Sequence, residues 1–228
     1  MVLLNLKDHF GEFTEGTFLE RTNRFVALVE VNGQVKRAHV SDTGRLGELL
    51  ERGAPVLLSP NPKGKLDYKF VAVNKGGDWV LLNTSVHSII ARKILEGGIL
   101  GFKPETVKPE FVFGNSRIDF LLDNNFLLEV KGCNLVENEI CLFPDAPTER
   151  GRKHVLELIK AVKEGYRAGI LFLSFRKCNC FLPNRRRDPQ FSLTLLKALS
   201  EGVEFFGVQL DFLQTGEVLF RERLKLCT

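Results

Sequence analysis

The chain has 228 residues, 44% hydrophobic and 26% charged, ordinary proportions for a soluble globular protein of one large domain or two small ones. No apolar run approaches the ~18 residues of a membrane span. The start, Met-Val-Leu-Leu-Asn-Leu-Lys-Asp, lacks the basic flank and cleavage site of a signal peptide, so no membrane association and a cytoplasmic location are expected. A formal net charge of +4 is too small to mark a nucleic-acid-binding protein by itself.

Residues 1–83 read as β-rich. Strands are expected at 17–19 and 25–31, and Asn32-Gly33 is a strong hairpin signal before a strand at 34–40. A helical turn at 46–50 is followed by strands at 55–59, 68–73 and 79–83. Short strands at this spacing, with Gly and Pro between them, predict a small closed barrel of the OB-like type. Arg21 and Arg24 flank a turn, and Arg37, His39 and Arg45 lie nearby in sequence. On a small barrel these either line a groove for nucleic-acid phosphates or are scattered surface arginines. His39 alternates with apolar strand positions and reads as structural.

Thr84-Ser85 opens a helix in which Val86, Ile89, Ile90 and Ile94 follow at helical spacing until Gly97-Gly98. The domain boundary therefore falls near Asn83, with 84–228 as an α/β domain. Glu96 on this helix is a candidate third carboxylate for the hairpin that comes next.

That hairpin, 117–131, is the centre of the chain's chemistry. Two apolar strands flank Asp123-Asn124-Asn125, with Asp119 on the first strand and Glu129 and Lys131 on the second. Residues two apart on a strand share a face. A three-residue loop pairs Leu122 with Phe126, and hence Asp119 with Glu129. Its last residue is expected in the left-handed region, which Asn tolerates. A two-residue loop would send Asp119 to the opposite face. Two close carboxylates repel unless a cation lies between them, and hard oxygen ligands suit Mg2+ or Mn2+. A lysine beside such a metal stabilises charge on a phosphoryl oxygen or positions a water. Asp, a gap, then Glu-x-Lys is the core of the PD-(D/E)xK nuclease pattern. An exposed hairpin with a Glu–Lys pair is the structural alternative.

A long helix then carries Val155, Leu158, Ile159 and Val162 as its buried stripe. Arg150, Lys153, Glu157 and Lys160 lie on its polar side, while His154 sits close to the apolar stripe and reads as a satisfied, partly buried histidine. Residues 169–175 form a continuous apolar run, as in a strand buried on both faces. A basic loop with Arg185, Arg186 and Arg187 precedes a helix at 189–200, and strands near 203–211 and 218–221 end the chain. The whole is an α/β layering around a mixed sheet. Eleven Lys and Arg against two Glu between Arg150 and Arg187 give a local +9, beside a segment 101–149 of charge −5. That juxtaposition suits a metal site facing a polyanion, while a solvated helix face explains part of the basic excess equally well. The five cysteines show neither Cys-x2-Cys nor zinc spacing and read as reduced or buried thiols, with a Cys133–Cys141 disulfide left open.

Five stretches resemble the sugar fermentation stimulation protein A (SfsA) family: Arg24-Phe25 leading into a strand, Asp42-Thr43-Gly44-Arg45, Val80-Leu81-Leu82-Asn83-Thr84, Gly114 to Phe120 before Leu128-Glu129-Val130-Lys131, and Phe143-Pro144-Asp145-Ala146-Pro147-Thr148-Glu149-Arg150-Gly151-Arg152-Lys153-His154. Asp42 and Pro147 depart from the usual Asn and Val. The resemblance implies an N-terminal OB-like barrel, a PD-(D/E)xK nuclease-like C-terminal domain, DNA binding without strong sequence preference, and a regulatory link to sugar metabolism. On this reading Asp119 and Glu129 hold the metal, aided by the Val130 carbonyl, and Lys131 serves the phosphoryl charge. Arg150 and Lys153 grip phosphates, joined by Arg21, Arg24, Arg45 and Arg185 to Arg187. Asp145 and Glu149 orient these cations or cap the helix, with a second metal as the other option. The site is either a working phosphodiesterase or an inherited fold in a non-catalytic DNA-binding regulator. A homodimer is open.

Overall fold

The computed structural model describes residues 1–227, and the chain folds as two units. The first comprises Met1–Val86 and Leu210–Arg221; the second comprises His87–Gln209 and the residues from Glu222 onward. The first break falls three residues past the expected one. The expectation that 84–228 form one domain is corrected, because parts of the last two strands belong to the first unit. No helix among the described residues is long and apolar enough to cross a membrane.

In the first unit, β1 (Val2–Asn5) and α1 (Lys7–Phe10) precede β2 (Thr14–Asn23), β3 (Val26–Val31), β4 (Gln34–His39), β5 (Pro55–Pro60), β6 (Tyr68–Lys75) and β7 (Asp78–Leu81). Strand β2 pairs with both β3 and β5, β5 with β6, and a parallel pairing of β4 with β6 at Ala38 and Tyr68 closes a five-strand barrel of OB type. Asn32 and Gly33 both take positive φ, 50° and 74°, the geometry a tight β3–β4 hairpin demands. Ala27, Val29 and Val31 point into the barrel while Glu30 faces solvent.

A 3₁₀ turn, Thr84–Val86, leads to α2 (His87–Glu96), β8 (Val107–Phe113), β9 (Ser116–Leu122), β10 (Phe126–Gly132), β11 (Leu135–Glu137), β12 (Ile140–Phe143), α3 (Glu149–Lys163), β13 (Arg167–Ser174), β14 (Cys180–Pro183), α4 (Pro189–Ser200), β15 (Glu204–Phe212) and β16 (Glu217–Leu224). In the second unit β8, β9 and β10 run antiparallel to one another, and β10, β13 and β15 are parallel neighbours. Strand β13 is buried along nearly its whole length, as its unbroken apolar run requires. Helix α3 lays Val155, Leu158 and Ile159 into a core that includes Phe172, Phe181 and Phe191. Each buried ring of this kind contributes roughly 1.5–3 kcal/mol.

Thr148 caps α3 by accepting from the Gly151 N–H, and Asp188 caps α4 by accepting from the Phe191 N–H. Pro189 at the first helical turn of α4 gives up no hydrogen bond there. The cap of α3 is thus neither Asp145 nor Glu149. The cysteines also need correction. Cys133 pairs with Cys141 and Cys180 with Cys227, leaving Cys178 as a free, buried thiol.

Candidate metal centre

The hairpin register is the one the three-residue loop predicts: Phe126 pairs with Leu122, Leu127 with Leu121 and Leu128 with Phe120. The left-handed residues are Asp123 (φ 48°) and Asn124 (φ 57°) rather than the last of the loop. The Asn125 N–H closes the turn on the Leu122 carbonyl at 3.0 Å. Asp123 is fixed by accepting from the Glu105 and Thr106 N–H groups at 2.8 Å.

Beyond Phe120 and Leu128 the ladder gives way to a side-chain contact. The Asp119 carboxylate accepts from the Val130 N–H at 2.7 Å. Asp119 and Glu129 border one cavity of about 160 Å³, together with Glu110, Arg117, Lys131, Arg150 and His154. The predicted trio of Asp119, Glu129 and Lys131 is therefore assembled, and Arg150 stands with it.

Glu129 is 1% exposed. Its Oε1 takes the Lys131 ammonium and, at 2.5 Å, His154 Nδ1, while its Oε2 is buried with no hydrogen-bond partner among the described residues. Burial opposes the charge on Glu129 most strongly, yet Lys131 and His154 together outweigh it and hold the carboxyl below its ordinary value. Leaving such an oxygen unsatisfied is costly.

The Asp119 carboxyl is pushed up to about 6, first by burial and then by the charge on Glu129, against the pull of Lys131, the Val130 N–H and His154. A folded value above the ordinary 3.8 means that the folded state holds this proton more tightly than the unfolded chain. The stability so gained is fully present below the unfolded value and lost as pH rises through the folded one. At pH 7.5 the ionised Asp119 thus destabilises the fold by at most ~3 kcal/mol. Asp119→Asn keeps an oxygen for the Val130 N–H. Without divalent ions it is expected to melt above the wild type at pH 7.5, with the gap closing towards pH 4. Equal melting temperatures across that range would overturn this account.

Two histidines complete the surroundings, and the sequence signal for each was its place on a helix's buried stripe. His154 falls among Gly151, Val155 and Leu158 of α3. His87 falls in line with Ile90, Ala91 and Ile94 of α2, stacks on Phe175 and has a buried, unpartnered Nε2. A Cβ on Gly132 would meet its ring at 2.5 Å, so glycine is required where β10 passes α2. Burial first, and the Lys131 charge second, lower its pKa to about 4, so this ring is neutral at pH 7. Glu96, the candidate third carboxylate, is off the stripe and engaged with Arg92 and Lys93 on the surface.

The remaining cations divide. Lys153 lies on the exposed face of α3 with Arg152 and Leu156. Arg21 does not present a free guanidinium: it donates to the carbonyls of Arg24, Asp42, Gly44 and Arg45 and latches the 42–45 loop. Arg24 covers the Phe25 ring at 4.8 Å, and Arg45 is exposed. In the basic loop Arg186 is engaged by Glu137, whereas Arg185 and Arg187 are exposed.

Comparison with known proteins fits both units. Residues 19–82 match the profile described as the SfsA N-terminal OB domain, and residues 82–216 that of the sugar fermentation stimulation protein RE domain. The chain belongs to the sugar fermentation stimulation protein family. A family homologue from Thermotoga petrophila is 43% identical over 219 residues, 94% of this chain and 95% of the relative. One from Methanothermobacter thermautotrophicus is 46% identical over 198 residues, 82% of each. The solved structure of Pyrococcus furiosus SfsA in complex with Ca2+ superimposes with a TM-score of 0.91 at 30% identity over the whole of both chains. Asp119, Glu129, Lys131, Arg150 and His154 all lie inside the segment matched by the second family profile.

Proposed function

We propose that this protein binds DNA with little sequence preference and cuts it as a divalent-metal-dependent phosphodiesterase, its second unit being a nuclease-like domain of PD-(D/E)xK type. The observation that carries the reading is the convergence of Asp119, Glu129 and Lys131 on one cavity, with a Glu129 oxygen buried and without a hydrogen-bond partner among the described residues. The donor set fits a hard cation: two carboxylates side by side, each opposing the other's charge. Asp119 and Glu129, aided by the Val130 carbonyl, would hold Mg2+ or Mn2+, which when bound supplies Lewis-acid polarisation and an acidified water. The Ca2+ complex of the Pyrococcus furiosus relative supports a preference for hard divalent ions.

The chain's own groups do the rest. His154 Nδ1 fixes the orientation of the Glu129 carboxylate. Lys131, partly exposed at 19%, turns from Glu129 towards a phosphoryl oxygen and stabilises its charge. Arg150 grips that phosphate from the cavity wall, and Lys153 a neighbouring one. Arg185 and Arg187 in the second unit and, separately, Arg24 and Arg45 in the first supply further backbone contacts, which hold the nucleic acid without reading bases.

The alternative is a non-catalytic DNA-binding regulator of sugar metabolism. It draws on the fact that Lys131 and His154 already engage one Glu129 oxygen, as in a purely structural buried ion pair. The readings part on metal. Purified protein should cut at least one of single-stranded, duplex, branched or flapped DNA with Mn2+. Protein that binds DNA but cuts none of them across several divalent ions would leave only the regulator. Binding itself should weaken steeply with salt. Since Glu137 already holds Arg186, replacing Arg185, Arg186 and Arg187 with Ala together should flatten the log–log salt slope by about 2; an unchanged slope would make the loop a solvated turn.

A further inference from the structure

Strands β8 and β9 bring two carboxylates to the same rung of the sheet, and β10 adds a third on the same cavity. Strand β8 pairs with β9 through Pro109 with Phe120 and Phe111 with Ile118, which places Glu110 opposite Asp119. Strand β9 pairs with β10 as far as Phe120 with Leu128, and the next residue, Asp119, meets β10 through its carboxylate on the Val130 N–H, beside Glu129. Directly opposed residues of an antiparallel pair are nearest neighbours. All three border the same cavity, and like charges in such a row repel.

Glu110 is unusual in its backbone as well. Its φ is 53°, a left-handed conformation that a glutamate side chain disfavours and that Gly or Asn would take with less strain. Nothing in the packing repays this. Its side chain is 69% exposed, and its ion pair with Arg117, at 3.6 Å, is long and just as open to solvent; such pairs contribute little. Strained residues of this sort persist where function requires the side chain. The second observation is Glu129 Oε2, buried without a hydrogen-bond partner among the described residues, on a residue that lines the same cavity.

We propose that Glu110 is a third carboxylate ligand of the divalent cation, turning inward across the rung to join Asp119 and Glu129. This rests on the metal site of the proposed function. Among the described residues no three His, Cys, Asp or Glu side chains already stand within common ligating reach, so the inward turn of the exposed Glu110 side chain is part of the proposal. An open edge strand leaves it room to do so. The Arg117 guanidinium is thereby released towards the phosphate.

The test is direct Mn2+ binding, by calorimetry and by loss of the free-ion electron-spin-resonance signal, on the full chain and three variants. Glu110→Gln, which keeps the backbone and removes the charge, is expected to weaken Mn2+ binding at least tenfold. Glu110→Asn should weaken it equally while raising the metal-free melting temperature, because Asn relieves the strain; a residue kept only for stability would lower the melting temperature and leave Mn2+ affinity unchanged. Asp119→Asn is the control for the site itself. If Asp119→Asn loses Mn2+ but Glu110→Gln keeps wild-type affinity, the role of Glu110 is overturned and the two-carboxylate site stands. If the wild type takes up no Mn2+, this proposal and the metal reading fall together.

Discussion

Glu129→Gln is expected to lose at least ~10³-fold in Mn2+-dependent cleavage, equivalent to about 4 kcal/mol of transition-state stabilisation, with DNA affinity unchanged or slightly tightened. The side chain keeps its shape, so what disappears is charge. The carboxylate is 1% exposed and offers one oxygen to Lys131 and His154, while the other is buried without a hydrogen-bond partner among the described residues. An amide there ligates a hard cation weakly and leaves the Lys131 ammonium without its counter-charge. Lys131→Met separates the two effects. It should leave Mn2+ binding near the wild-type level, since both carboxylates remain, while cleavage falls at least ~10²-fold through loss of the cation facing the phosphoryl oxygen. Folding must be followed alongside, because removing one member of a buried pair destabilises the fold by several kcal/mol. A comparison of melting curves shows whether lost activity is lost chemistry. Cleavage by Glu129→Gln within tenfold of the wild type, in folded protein, would remove Glu129 from the mechanism.

Much of this site could be read from the sequence because it is local. Asp119, Glu129 and Lys131 lie on one hairpin, and a hairpin's register follows from its loop length. That is why the Leu122–Phe126 pairing was expected, even though the left-handed residues turned out to be Asp123 and Asn124. The members supplied by other elements were harder to see. His154 and His87 reach β10 from two separate helices, and their only local signal is a polar residue on an apolar stripe. Glu96, chosen as the third acid for its place before the hairpin, lies off that stripe and is held by its own helix. Glu110 was hidden for a different reason. Strand β8 reads Val-Lys-Pro-Glu-Phe-Val-Phe, and proline with two charges argues against a strand. On a sheet edge those residues are tolerated, and they discourage pairing with another chain.

The same division holds for the fold. The barrel strands β3 to β6 follow from alternation and from Asn32-Gly33, as does the buried strand β13 from its apolar run. The parallel closure of β4 on β6 is long-range and leaves no mark in either strand. Arg21 illustrates the limit for surface charge. As an arginine beside a turn it suggested phosphate binding, but four carbonyls gather on its guanidinium, and no local pattern announces them.

Cys227→Ser is expected to lower the melting temperature by about 8–16 °C, the second large effect. The Cys180–Cys227 bridge spans 47 positions, and chain entropy assigns a loop of that length ~4 kcal/mol at 25 °C. In a chain of this size each kcal/mol shifts the midpoint by about 2–4 °C. The bridge also ties down the segment after β16, which is otherwise held by the Cys227 N–H on the Phe181 carbonyl, the Phe181 N–H on the Lys225 carbonyl and the packing of Leu226 on the core. The Cys133–Cys141 bridge behaves differently. It spans only 8 positions, for which the same relation gives ~2.5 kcal/mol. Both of its sulfurs lie in the core, Cys133 at 1% and Cys141 at 0% exposure, where reduced thiols pack comfortably. Reduction should therefore act mainly through Cys180–Cys227, and dithiothreitol should move the wild type to nearly the Cys227→Ser value. Alkylation of denatured, unreduced protein should label Cys178 alone, since it is the free cysteine, and all five after reduction. Labelling of Cys180 and Cys227 without reductant, or a Cys227→Ser variant that melts with the wild type, would show that the C-terminal strand is held by its packing and not by sulfur.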